Sequence, residues 1–327
     1  MKLATYLDHA DTSSTSVGVV QNHRVHRIAD VRSMRDLIAL GLDAALAAGE
    51  RALVQPGTDL DQVRLLPPLE PASIRDFVAF EEHVEGVRRS IDGAAGVVDA
   101  WYDAPTFYFT NPHAIVGPDA EVAFPARSLA RDFELEVAVI VGGEGRSLNS
   151  DEASQAIFGY TILNDWSARD LQSREMQVGL GPAKGKDFAT SLGPWIVTAD
   201  QLKPYRDPDG FLALECVVDV NGARVGHDLL SNMGWTFESM IAYASRDSRV
   251  VAGDVLGSGT TGNGGCLAEL WGLNGRQDPP PLRDGDTVTI TVQGIGTLTN
   301  TITTAPPAPE LPTFRRPARQ RNLRTTA

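Results

Sequence analysis

The chain has 327 residues, 42% of them hydrophobic, and a formal net charge of −13. This length supports a large core and up to two domains, while an acidic surface, with a sequence pI near 4.9, repels phosphate backbones and makes nucleic acid a poor partner. No run approaches the roughly 18 apolar residues of a membrane span, the opening MKLATYLDHADTSSTS lacks a leader's apolar stretch, and Cys216 and Cys266 show no metal-type spacing, so a cytoplasmic protein without membrane contact is expected.

The first residues read as two strands, KLATYL and SVGVV, followed by a helix over Met34–Leu53 with leucines and alanines at helical spacing. A proline-bearing stretch, VQPGTDLDQVRLLPPLEPAS, then marks a boundary near 68–72. We therefore expect a small accessory domain over 1–68, a main domain over 69–304, and a Pro/Arg-rich basic tail over 305–327. IRDFVAFEEHVEGVRRS reads as one helix, with Phe77, Phe80, Val84 and Val87 along a stripe. RDFELEVAVIVG reads as a strand, and SLNSDEASQAIFGYTILND as a short helix and a strand ending on Asp165. Asn221-Gly222, between alternating runs, predicts a hairpin with a type I′ turn. GWTFESMIAYAS is a predicted helix, and DGDTVTITVQGIGTLTNTI a turn followed by a β-run. The expected class is α+β, mostly β.

Three segments carry polar groups in places that call for explanation. In RDFELEVAVIVG, Asp132, Glu134 and Glu136 alternate, which puts them on one strand face. A solvated face would tolerate such acids, but VAVIV suggests that both faces are covered further along. Buried carboxylates need a compensating cation. With only Arg127 and Arg131 close in sequence, a hard divalent metal is the economical candidate. In TILNDWSARDLQ, Asp165 ends a strand, Ser167 is a candidate helix cap, and Arg169 and Gln172 share a helix face. They suit either an anionic ligand or solvent. In GLGPAKGKDFATSLGPW, glycines bracket Lys184 and Lys186. Asp187 follows Gly185-Lys186 where a phosphate loop needs Ser or Thr, so a nucleotide site is rejected. Lys186 either supplies one cation to an acidic site or stays in solvent.

Taken together, RDFVAFEEHV, DFELEVAVIVG, LNDWSARDLQ, LGPAKGKDF and GSGTTGNGGCLAEL resemble, in that order, the fumarylacetoacetate hydrolase family, over about residues 70–303. The resemblance implies a mixed β-roll, commonly a homodimer, and a divalent metal, Mg²⁺ with Mn²⁺ or Ca²⁺ as alternatives. Its implied ligands are Asp76, Glu134, Glu136 and Asp165, with Asp132 left as a structural group. It further implies His83 as catalytic base with Glu269 as its orienting acid, Lys186 as a third catalytic group, and Arg169, Gln172 and Thr260 as substrate-binding residues. Without the resemblance, Glu269 reads as an ordinary strand residue and His83 as surface decoration. If Asp76 and His83 shared one helix they would lie about 10 Å apart on one face. Val78 stands where longer members carry an aromatic hydroxyl, which argues against fumarylacetoacetate itself as substrate. The implied reaction is hydrolysis of a C–C bond in a small anionic β-diketo acid such as an acylpyruvate. The alternative is a decarboxylase, isomerase or hydratase of a 2-oxo acid using the same site.

Overall fold

The computed structural model describes residues 1–92 and 96–314. At its centre is the strand Leu135–Val141, every residue of which is buried. Its β-branched side chains suit a pleated surface covered on both faces. Val137, Val139 and Val141 enter one hydrophobic core, whereas Ala138 and Ile140 point the other way into a second. Full burial of such a valine or isoleucine contributes about 1.5–3 kcal/mol. Glu134 and Glu136 fall, by the two-residue period, on the face of Ala138 and Ile140.

This strand belongs to a 12-stranded sheet. On one side it pairs antiparallel with Ile157–Asp165, which pairs with Thr190–Thr198, which in turn pairs with Lys2–Asp8. On the other side lies Val255–Gly257, parallel to Ile74–Phe77, with Phe107–Thr110 at the edge. The sheet therefore runs through the expected boundary near 68–72, and Leu3, Val17, Leu37 and Ile38 share a core with Ile74, Phe158 and Leu192. A second, 5-stranded sheet contains Glu215–Val220, Ala223–Leu229, Thr287–Val292, Gly296–Thr304 and Glu121–Phe124. The α+β, mostly β class is borne out. Asn221 and Gly222 have φ of 52° and 78°, as the predicted hairpin turn requires.

Several local expectations are corrected. The segment read as one helix begins as the strand Ile74–Phe77 and only then becomes the helix Glu81–Asp92. Asp76 pairs in register with Gly257 on one side and Tyr108 on the other, and ladder bonds on both edges override helical spacing. Asp76 and His83 thus share no helix. Met34–Leu53 is two helices, Met34–Ala39 and Leu42–Leu53, broken at Leu40-Gly41. Ser167 does not cap: its hydroxyl donates to the Asp165 carbonyl, and the helix Arg169–Met176 begins without a side-chain cap. Glu269 lies on a helix, Leu267–Asn274, rather than a strand. The arginines of the basic tail, from 315 onward, lie outside the described residues. Among the described residues no helix is long and apolar enough to cross a membrane.

Candidate active site

Strand register gathers the acids. Asp76 lies opposite Gly257, Gly257 lies opposite Ala138, and Glu136 is two residues back on that same face. The Asp165 N–H donates to the Glu134 carbonyl at 3.3 Å, which brings the end of the third strand to the same place. Asp76, Glu134 and Glu136 each bring one carboxylate oxygen within 4.8 Å of the others, and all three residues are buried. A Cβ at position 257 would lie 2.5 Å from Asp76 Oδ1 and 2.7 Å from Glu136 Oε2, so only glycine leaves room for the cluster. Asp165, also fully buried, faces Lys186 and Tyr108 instead, and both donate to its Oδ2.

The cations that sequence proximity did not supply arrive from loops and a helix start. The Lys186 ammonium donates to Glu134 Oε2 and, at 2.6 Å, to Asp165 Oδ2. Arg169 contacts Asp132 Oδ2 at 2.7 Å and Glu134 Oε1 at 2.8 Å. It also donates from Nη1 to Gln172 Oε1 at 3.1 Å, so the expected shared helix face is present. These charges sort the acids. Burial alone would raise Glu134, but Lys186 and Arg169 bring it down to about 2. Burial, reinforced by the Asp76 charge, pushes Glu136 well above the usual carboxylate range. Burial and then the Asp165 charge do the same to Asp76. Burial would lower Lys186, yet Asp165 and Glu134 hold it firmly protonated.

The cluster fits a hard divalent cation. Its donors are all oxygen, and Asp76 Oδ1 and Asp165 Oδ1 are buried without a hydrogen-bond partner. Such orphaned acceptors cost stability unless something compensates them. Glu136 is held in place by the Gly259 N–H at 3.1 Å and faces the Thr260 hydroxyl at 3.5 Å. Asp132 has a different task. It accepts from the N–H groups of Leu267 at 2.7 Å and Ala268 at 3.0 Å, anchoring the start of the helix Leu267–Asn274 where a negative charge is favoured.

That helix carries Glu269 to His83. His83 Nδ1 is 3.9 Å from Glu269 Oε2, and both residues are buried. The Cys266 thiol, which caps the helix by accepting from the Glu269 N–H, lies 3.7 Å from the same ring nitrogen. Glu269 Oε1 accepts from the Gly264 N–H at 3.0 Å, while Oε2 has no hydrogen-bond partner. A free carboxylate oxygen facing Nδ1 favours a proton there and leaves Nε2 as the basic nitrogen.

All ten sequence-predicted residues therefore have a place. Asp76, Glu134 and Glu136 converge, with Thr260 against Glu136. Asp165 joins them through Lys186, Arg169 and Gln172 lie behind Glu134, and His83 meets Glu269. Sequence reasoning missed Tyr108, Gly257 and Cys266. Tyr108 sits in an aromatic edge strand whose spacing reads as ordinary packing, and no local signal marks its hydroxyl. A groove of about 760 Å³ between Thr5, Ser33, Arg35, Pro67 and His113 lies apart from this chemistry.

A mostly β scaffold that brings buried carboxylates from separate strands together beside a histidine–glutamate pair has the make-up of an enzyme site. The chain belongs to the fumarylacetoacetate hydrolase family: residues 72–303 match the family model described as fumarylacetoacetate (FAA) hydrolase C-terminal. It is 29% identical to the fumarylacetoacetase of Arabidopsis thaliana over 309 residues, spanning 76% of this chain and 73% of that protein. It is 33% identical to the oxaloacetate tautomerase YisK of Bacillus subtilis over 171 residues, or 52% of each chain. Among solved structures, the fumarylacetoacetate hydrolase of Exiguobacterium antarcticum superposes with a TM-score of 0.73 at 26% identity, covering 93% of this chain and all of that one.

Proposed function

We propose that this protein hydrolyses a C–C bond in a small β-diketo acid of the acylpyruvate type, with a divalent cation held by Asp76, Glu134, Glu136 and Asp165. The observation that carries the reading is the pairing of a buried all-oxygen cluster with a histidine whose Nδ1 faces an unpartnered glutamate oxygen. A hard cation such as Mg²⁺, with Mn²⁺ as an alternative, would polarise the substrate's oxygens and take up negative charge as the bond breaks.

The chain's own groups divide the remaining work. His83 Nε2 takes a proton from water, and Glu269 steadies the resulting imidazolium through Nδ1. The hydroxide attacks the carbonyl carbon. The C–C bond breaks with its electron pair going to the leaving fragment, which takes the proton held on His83, giving a carboxylic acid and a 2-oxo acid. Arg169, Gln172 and Lys186 supply donors for the substrate carboxylate and for developing oxyanions. Arg169 occupies the Gln172 carbonyl oxygen, which leaves that amide's NH₂ as its free donor end. Thr260 lies beside Glu136, where its hydroxyl can meet a bound acid.

The test is turnover of a small acylpyruvate panel with Mg²⁺, analysed for products, with His83→Ala alongside. Two acid products from the wild type, and a rate lower by about 10²–10⁴ in the variant, are expected for loss of a general base. Release of CO₂, or an isomer formed without cleavage, assigns the site to decarboxylation or isomerisation instead. Undiminished hydrolysis by His83→Ala refutes the base.

A further inference from the structure

The helices Glu81–Asp92 and Leu267–Asn274, which carry His83 and Glu269, pack directly on one another. They cross at two glycines. A Cβ built on Gly86 would lie 2.5 Å from Glu269 Cγ and 3.3 Å from its Cα. A Cβ on Gly272 would fall onto the Gly86 carbonyl oxygen and lie 2.9 Å from the Ser90 nitrogen. Neither glycine has a positive φ, so backbone conformation does not demand them. Glycine inside a helix is unfavourable relative to alanine, and the close approach is what accounts for both. The spacing is reciprocal: His83 precedes Gly86 by three residues and Glu269 precedes Gly272 by three. Residues three apart share a helix face, so the crossing point and the pair lie together.

We propose that Gly86, backed by Gly272, is a positioning residue: it opens the notch through which the Glu269 side chain crosses the His83 helix, and so sets where the carboxylate meets Nδ1. The kinetic consequence rests on the function proposed above; the geometric one does not. The groups facing His83 are Glu269 and Cys266 from the neighbouring helix, with Glu134 near enough to feel its charge. Of these, only Glu269 would meet a methyl at position 86.

The experiment is a double-mutant cycle of Gly86→Ala with Glu269→Ala on the full chain, read by melting temperature, by the His83 ring ¹⁵N signals (assigned with His83→Gln) and by acylpyruvate kinetics. Gly86→Ala should lower the melting temperature by several degrees in the native background and by clearly less with Glu269→Ala, because the clashing Cγ is gone. It should move the His83 signals in the direction that Glu269→Ala moves them. It should lower kcat about a hundredfold with KM little changed, as a small misplacement of a catalytic group does, and add no further loss to Glu269→Ala. If Gly86→Ala alone fails to fold while the double variant folds, the notch is equally supported. An equal thermal loss in both backgrounds, failure of both to fold, unmoved His83 signals, or kinetic losses that multiply would overturn it. Should no acylpyruvate be turned over even by the wild type, the functional reading fails, while the thermal and spectroscopic arms still decide the notch.

Discussion

Replacing Glu136 and Glu134 by glutamine, one at a time, separates a cation-binding cluster from an ordinary buried salt bridge. Two like charges within 4.8 Å of each other repel by about 3 kcal/mol or more at an effective dielectric near 20. In the metal-free protein burial and the neighbouring charges displace both Asp76 and Glu136 upward, which favours a proton shared on the pair. Glutamine resembles that protonated acid in shape and charge, so Glu136→Gln should change stability by about 1 kcal/mol or less in EDTA. Glu134 is different. It is ionised between Lys186 and Arg169. Glu134→Gln takes from each cation one of its two carboxylates, leaving Asp165 to Lys186 and Asp132 to Arg169, at a cost of about 1.5–3 kcal/mol, the worth of a hydrogen bond to a charged group. Added Mg²⁺ at a hundred times its dissociation constant should stabilise the wild type by about 2.7 kcal/mol, and both variants should lose that increment. Denaturant unfolding with EDTA or with Mg²⁺ measures all six values. A Glu136→Gln variant as unstable in EDTA as Glu134→Gln, or one keeping the full Mg²⁺ increment, would refute the reasoning.

Gly257→Ala should abolish the Mg²⁺ increment in the same assay, since its methyl would occupy the space between Asp76 and Glu136. Tyr108→Phe removes a donor to the Asp165 carboxylate and should lower metal-free stability by about 1.5–3 kcal/mol, the worth of a hydrogen bond to a charged group. Asp132→Asn should cost about 1.5–3 kcal/mol, again the worth of a hydrogen bond to a charged group, by taking one of Arg169's two carboxylate partners and weakening the anchor of the Leu267–Asn274 helix, while the Mg²⁺ increment survives.

What the sequence revealed, and what it hid, follows from the range of each interaction. The Leu135–Val141 strand, the Asn221-Gly222 hairpin and the strand ending on Asp165 were legible because period and turn chemistry are local. Alternation at Asp132, Glu134 and Glu136 announced shared orientation, but not that Asp132 serves a helix start while the other two face the cluster. The helical spacing of Phe77, Phe80, Val84 and Val87 was real as a pattern. It could not show that Ile74–Phe77 finds strand partners on both edges, because those partners lie at Val255–Gly257 and Phe107–Thr110. Distance in sequence likewise concealed the counter-charges: Lys186 is 52 residues from the Glu134 it neutralises. Local composition suggested a shortage of cations, and folding supplies them. The site residues themselves came from the family resemblance, since neither His83 nor Glu269 is distinctive in isolation.

Because Leu3 and Ile196 are ladder partners, the accessory segment cannot simply be trimmed away. A version beginning near residue 69 would uncover one flank of Thr190–Thr198, a strand otherwise enclosed, and with it a row of unanswered amide and carbonyl groups next to bare Leu192 and Ile196. Such an open border invites pairing with other molecules. Clumping, more than loss of chemistry, is what shortening the chain would bring.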